Sequence, residues 1–176
     1  MKKIFLILPA FLGAICLLFS SCDRNISKDD CLSYQEKAFE AEVSVKGGTL
    51  AFSAKVSGGA LLPENGFSRD LTVTFTAPSS LKGISVTQAE GKTTVSLGEL
   101  SFAGDGSTYD PLVDFAHLFA LDAIPVSVEL EGENTRITLI GTNDTLYSLL
   151  LSKNGLPLEI GKDNGLCITV ENYSFK

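Results

Sequence analysis

The chain has 176 residues, of which 44% are hydrophobic, and a formal net charge of −7. An acidic chain without a basic cluster argues against binding to nucleic acid and against electrostatic attraction to anionic lipid headgroups. Its length allows a single domain with a proper hydrophobic core.

The first 21 residues have the pattern of an export signal. Lys2 and Lys3 form a short basic start, and residues 4–19 are apolar or small, a run shorter than the roughly 20 residues of a membrane-spanning helix. Residues 18–22 (LFSSC) resemble the bacterial lipobox, in which a small residue precedes a cysteine that is diacylated before cleavage; Phe19 departs from the usual aliphatic residue. The resemblance implies that Cys22 becomes the lipidated first residue. The alternative is an uncleaved anchor with an incidental cysteine.

Either interpretation places the rest of the chain on the extracytoplasmic face of a bacterial membrane. Cleavage removes two lysines and no acid, so the mature charge becomes −9. Two acyl chains hold a protein at a membrane far better than one chain does. We expect residues 22–30 to be a polar tether and residues 31–176 to form a single β-rich domain.

Two cysteines remain in the predicted mature body. Cys31 and Cys167 lie near its opposite ends, and outside the cytoplasm they could pair and stabilise the fold by about 4 kcal/mol. Two free thiols are the alternative.

The body alternates apolar and polar residues with a period of two, which predicts strands with one buried face. Ala41, Val43 and Val45 alternate with polar residues, and a Gly-Gly turn leads into the next strand. Similar strands continue to the C-terminus, about ten or eleven in all, with tight turns between them. A short helix over about residues 29–38 is a further expectation.

A helix is predicted over about residues 111–121. Asp110 suits the N-cap and Pro111 the first helical position, while Pro125 blocks continuation. Between residues 112 and 121 only Asp114 and His117 are polar. A helix that is apolar on nearly all sides must be covered, or must itself cover a surface.

The sequence offers few groups for catalysis. His117 is the single histidine, and its expected role is a helix-surface residue beside Asp114. No Cys or His pair has metal-ligand spacing, so we expect no metal and no cofactor. An enzyme would need Asp105, Asp110 and Asp114 to converge in a cleft. We therefore predict a protein that is not an enzyme.

The strand pattern allows a β-sandwich or a curved, half-open barrel. The order of elements favours the second: a long hairpin, more antiparallel strands, an inserted apolar helix, and closing strands. Residues 74–84 (TFTAPSSLKGI) and residues 149–160 (LLLSKNGLPLEI) resemble two strand–turn–strand steps of the outer-membrane lipoprotein carrier (LolA-like) superfamily. The resemblance implies a curved antiparallel sheet whose concave face, covered by the helix, can hold acyl chains. It carries no catalytic residues.

The resemblance makes the inward apolar residues candidate ligand contacts, although the same residues would also suit an ordinary packed core. The candidates are Phe52, Phe75, Phe102, Phe115, Leu118 and Phe119. The predicted function is binding of lipid or another apolar ligand by a membrane-anchored lipoprotein of the cell envelope. The alternative is an adaptor or structural lipoprotein that binds an envelope protein through its surface.

Overall fold

A computed structural model describes residue 26 and residues 30–61, 69–104 and 114–176. The predicted export signal (residues 1–21), the lipidation site Cys22 and most of the tether therefore lie outside the described residues, as do Asp105, Asp110 and residues 111–113 of the predicted helix. Among the described residues, no helix has the length and apolar character needed to cross a membrane.

The described chain contains eleven strands in one antiparallel sheet, so the β-sandwich alternative is wrong. The strand order is β6-β5-β4-β3-β2-β1-β11-β10-β9-β8-β7. The strands are β1 (Phe39–Gly47), β2 (Leu50–Gly58), β3 (Leu71–Ala77), β4 (Ile84–Ala89), β5 (Lys92–Leu97), β6 (Leu100–Gly104), β7 (Ala123–Glu131), β8 (Asn134–Gly141), β9 (Leu146–Leu151), β10 (Pro157–Lys162) and β11 (Cys167–Phe175).

The topology consists of two meanders that meet at the first and last strands. From β1 to β6 each strand pairs with the next; the chain then returns to the far edge at β7 and continues to β11, which pairs with β1. Strands β6 and β7 are the two edges and do not pair with each other, so the barrel stays half open. The predicted curved, half-open sheet is confirmed.

Register shifts interrupt four strand pairs: β1–β11, β2–β3, β7–β8 and β9–β10. A bulge of this kind bends a strand and increases its local twist, which favours a curved sheet. Both sequence passages that resemble the LolA-like superfamily form the predicted strand–turn–strand steps, β3 to β4 and β9 to β10.

The core lies on one face of the sheet, which we call the inner face. Alternate residues of the central strands point into it, and the outer face carries polar side chains such as Thr72 and Thr74. Each large apolar side chain that is fully buried contributes roughly 1.5–3 kcal/mol to folding. The largest fully buried residues of the sheet are Phe39, Leu71, Ile137, Leu139, Leu149, Leu151, Ile160 and Ile168.

A 3-10 helix at Asp114–Phe119, which we call the core helix, covers the middle of the inner face. Its apolar residues are buried, whereas Asp114 and His117 are exposed. The predicted helix is therefore confirmed in place and packing, but its described part ends at Phe119 instead of residue 121. The chain leaves the helix there because Leu121 forms backbone hydrogen bonds with the side chain of Gln35. Two more short 3-10 turns occur in the described part of the chain, Ser33–Glu36 and Thr142–Asp144.

Candidate functional site

Three of the predicted ligand contacts form an aromatic cluster where the core helix meets β2 and β3. The Phe52 ring lies 5.3 Å from that of Phe75 and 5.0 Å from that of Phe115, both in edge-to-face geometry. Phe75 and Phe115 are buried, but Phe52 is only partly buried. Edge-to-face pairs at such distances stabilise packing beyond their buried area. The cluster therefore presents Phe52 as its accessible member.

Phe119, at the end of the core helix, belongs to a second aromatic group. Its ring stacks on Phe39 at 5.0 Å, and Phe39 stacks on Tyr173 at 5.3 Å. Phe119 and Phe39 are both completely buried. Phe119, like Phe75, is thus a packing residue of the core rather than part of an open surface.

Phe102 is placed apart from the other predicted contacts. It pairs with Val95 on the inner face of β6, the edge strand, and 60% of its surface is exposed. Its neighbours Leu97 and Leu100 are similarly exposed. The structure therefore does not bring Phe102 together with Phe52 and Phe115.

An open groove lies on the inner face between the core helix and the tips of the β1–β2 and β10–β11 hairpins. We call it the hairpin groove. Its volume is about 650 Å³, within the range of about 300–1,000 Å³ that is usual for small-molecule sites. Its apolar surface comes from Val45, Leu50, Phe52, Phe115, Leu118 and Leu166. Three of these, Phe52, Phe115 and Leu118, are predicted ligand contacts.

Gly47 allows the two hairpin tips to meet. A Cβ atom at this position would lie 3.0 Å from Leu166 Cδ1 and 3.2 Å from Leu166 Cα. Any larger residue would have to displace the backbone of the β10–β11 turn. The close approach of these two hairpins closes the groove at one end.

The rim of the groove is polar. It consists of Asp114 and His117 from the core helix and Lys162 and Asn164 from the β10–β11 hairpin. Asn164 Oδ1 accepts a hydrogen bond of 3.0 Å from the backbone N–H of Leu166, which fixes this turn. An apolar floor with a mixed polar rim suits an amphipathic ligand better than a purely hydrocarbon one.

Leu50 and Leu166 were not among the predicted contacts, although the alternation in β2 already placed Leu50 on the same face as Phe52. Leu50 is 57% exposed, so it is the most accessible apolar side chain of the groove. What the sequence pattern could not show is that the β10–β11 turn brings Leu166 beside it.

A buried polar group lies near the start of β1, at the end of the sheet opposite the groove. Arg69 donates a hydrogen bond from Nη2 to the backbone carbonyl of Gln35. Burial lowers the pKa of Arg69 and raises that of Tyr34 above its ordinary value. Within the described part of the chain, Arg69 Nε and Nη1 and Tyr34 Oη have no hydrogen-bond partner. The hydroxyl of Tyr173 donates to the Tyr34 carbonyl at 3.1 Å.

In the structure Cys31 is buried and Cys167 is half-buried. Cys31 lies close to Tyr34, which Tyr173 contacts, whereas Cys167 lies six residues before Tyr173 on β11. The pairing of Cys31 with Cys167 therefore stays a prediction from the sequence.

No cluster of three or more His, Cys, Asp or Glu side chains that could hold a metal ion occurs among the described residues. Asp114 and His117 are exposed at the rim of the hairpin groove, as expected for surface residues of the helix.

No protein-family model matches the chain, and no curated protein matches it. Solved structures do resemble it. An uncharacterized conserved protein from Thermus thermophilus has a TM-score of 0.53 and 16% identity, with 84% of each chain covered. A LolA superfamily protein from Nitrosomonas europaea has a TM-score of 0.40 and 10% identity, with 86% of this chain and 94% of that chain covered.

The Pseudomonas aeruginosa MucA/MucB complex also resembles the chain, with a TM-score of 0.44, 14% identity and coverage of 82% of this chain and 53% of that chain. The similar structures thus include a member of the superfamily that the two sequence passages resemble.

Proposed function

We propose that this chain is a lipoprotein of the bacterial cell envelope, anchored through Cys22, that binds a lipid or another apolar ligand in the hairpin groove and is not an enzyme. The observation that carries the proposal is the groove itself: an open volume of about 650 Å³ with an apolar floor and a polar rim. The N-terminal sequence supports the anchor, and the half-open fold supports a ligand on the inner face.

The hairpin groove covers only part of the concave face, which the resemblance implied as the ligand site. The core helix fills the middle of the inner face, so a ligand has room at the hairpin tips and not along the whole sheet. Phe52, Phe115 and Leu118 contact the ligand in this proposal together with Leu50 and Leu166. Phe75 supports the floor through its edge-to-face contact with Phe52, whereas Phe119 packs on Phe39 in the core.

The experiment is native mass spectrometry with lipid extraction on residues 23–176, followed by titration with a fluorescent fatty acid. Leu50→Gln removes an exposed apolar contact of the groove. Because burial of a leucine is worth roughly 1.5 kcal/mol or more, we expect affinity to fall about tenfold. Leu146→Gln is the matched control, since Leu146 is 46% exposed and points to the outer face of β9.

Equal affinities of the two variants would contradict a ligand in the hairpin groove. A clean mass without lipid and no fatty-acid binding would favour the second candidate, an adaptor that binds an envelope protein. The exposed inner-face side chains at the β6 edge, Leu97, Leu100 and Phe102, are the observation that favours this candidate. An edge strand with exposed apolar residues is a common place for another chain to bind.

A further inference from the structure

The edge strand β7 carries large exposed apolar side chains on both of its faces. Leu130 pairs with Thr135 on the inner face and is 66% exposed. Ile124 pairs with Ile140 on the outer face and is 71% exposed, and Val126, which follows at the bulge, is 54% exposed. Single exposed apolar residues are ordinary, but edge strands usually carry charges instead. Strand β7 thus exposes three large apolar side chains beside the acids of its C-terminal half.

The N-terminal segment meets the body at this same strand. Ile26 is partly buried against the core, and together with Val128, Leu130 and Thr135 it lines a small pocket of about 340 Å³. Cys22 precedes Ile26 by only four residues. Four residues span at most about 14 Å even when fully extended, so the cysteine must remain close to β7.

We propose that the β7 edge docks on the phospholipid surface that holds the anchor, with Ile124, Val126 and Leu130 at the boundary between headgroups and acyl chains. This inference rests on the lipidation of Cys22 in the proposed function. The lipidated residue lies at the membrane surface, and the short connection brings β7 there with it. Apolar side chains of a protein held at this boundary enter it to a depth of about 5–10 Å.

This shallow insertion into the membrane also suits the unpaired backbone groups of an edge strand. Unpaired N–H and C=O groups are costly in the hydrocarbon core, but the hydrated headgroup region can satisfy them. Of the acidic side chains at the far end of the strand, Glu131 pairs with Arg136 at 2.6 Å, whereas Glu129, opposite Arg136 in the register, is exposed. Because the whole chain is acidic, the contact favours zwitterionic over anionic lipid.

The test uses the absence of tryptophan from the sequence. Leu130→Trp places a single fluorophore on β7. Leu100→Trp is the matched control, because Leu100 is 63% exposed on the inner face of β6, the opposite edge. Each full chain is processed in a bacterium, its acylation is checked by intact mass, and it is reconstituted into phosphatidylcholine vesicles with or without brominated acyl chains.

We expect the brominated lipid to quench Leu130→Trp roughly twofold or more above Leu100→Trp, because only the β7 edge reaches the acyl boundary. Val126→Trp, at the bulge of the same strand, should behave like Leu130→Trp and shows whether a local folding defect at residue 130 affects the result. Equal quenching at the two edges, or none at Leu130 and Val126 in an acylated chain, would overturn the proposal. A blue shift without quenching would mean contact with protein and would also overturn it.

An intact mass without acyl chains would overturn the anchor of the proposed function and this inference with it. Loss of fatty-acid binding in the groove would leave the quenching result unchanged. A negative result for membrane docking can therefore be distinguished from a negative result for ligand binding in the groove.

Discussion

The middle of the inner face and its two edges contain the same kinds of side chain in very different surroundings. Phe119 and Phe39, at the middle, are completely buried, whereas Phe102 on β6 and Leu130 on β7 are 60% and 66% exposed. All four side chains belong to the inner face or to the core helix that covers it. A central strand has a neighbour on each side and the core helix above it, but an edge strand has one neighbour and lies beyond the helix.

The buried centre therefore accounts for the stability of the fold, whereas the exposed regions are available for binding. The core helix fixes the fold by filling the centre, and it leaves the hairpin groove and the two edge strands accessible.

Phe119→Ala should destabilise the protein by about 3–5 kcal/mol, because it removes a buried ring that stacks on Phe39 and leaves a cavity. Phe102→Ala, the same change at the β6 edge, should alter the free energy of unfolding by no more than about 0.5 kcal/mol. Urea unfolding of residues 23–176 gives both values. Similar losses in the two variants would show that the edge is packed as tightly as the centre.

Gln35→Ala should cost about 1–3 kcal/mol. The Gln35 side chain accepts a hydrogen bond from the backbone N–H of Leu121 and donates one of 3.3 Å to its carbonyl, so the substitution leaves two buried backbone groups without their partner. Glu36→Ala, at the exposed neighbouring position, is the control and should be nearly neutral. If both variants unfold at the same urea concentration, Gln35 does not hold the core helix in place.

The buried tyrosines predict a loss of stability at alkaline pH. Burial raises the pKa of Tyr173 to about 12 from an ordinary value of 10 and raises that of Tyr34 as well. The unfolded chain therefore ionises first, so this contribution to stability is complete below pH 10 and is lost as the pH rises toward 12.

Tyr173→Phe should make the free energy of unfolding fall less steeply between pH 10 and 12, because one of the two tyrosines no longer titrates. Urea unfolding at a series of pH values measures the slope. An unchanged slope in the variant would mean that Tyr173 is accessible to water in the folded protein, like the side chains at the edges.

Much of the fold was predictable because its signals are local. The alternation of Ala41, Val43 and Val45 with polar residues assigned one face of β1 to the core, and glycine and asparagine marked the turns. The same alternation placed Phe52, Phe75 and Phe102 on the inner face. It could not distinguish their surroundings, since the exposure of Phe102 depends on β6 being an edge strand.

The amino-acid pattern alone predicted the class of fold, the inward set of apolar residues, the position of the apolar helix and the lack of a basic cluster. The pairing of β1 with β11, the 3-10 helix that ends at Phe119 and the meeting of Leu50 and Leu166 at a groove became visible in the folded chain. The two sets of features differ in the sequence separation of the residues that produce them. Side-chain alternation is set by each residue's immediate neighbours in the chain, whereas strand pairing and groove formation join segments more than a hundred residues apart.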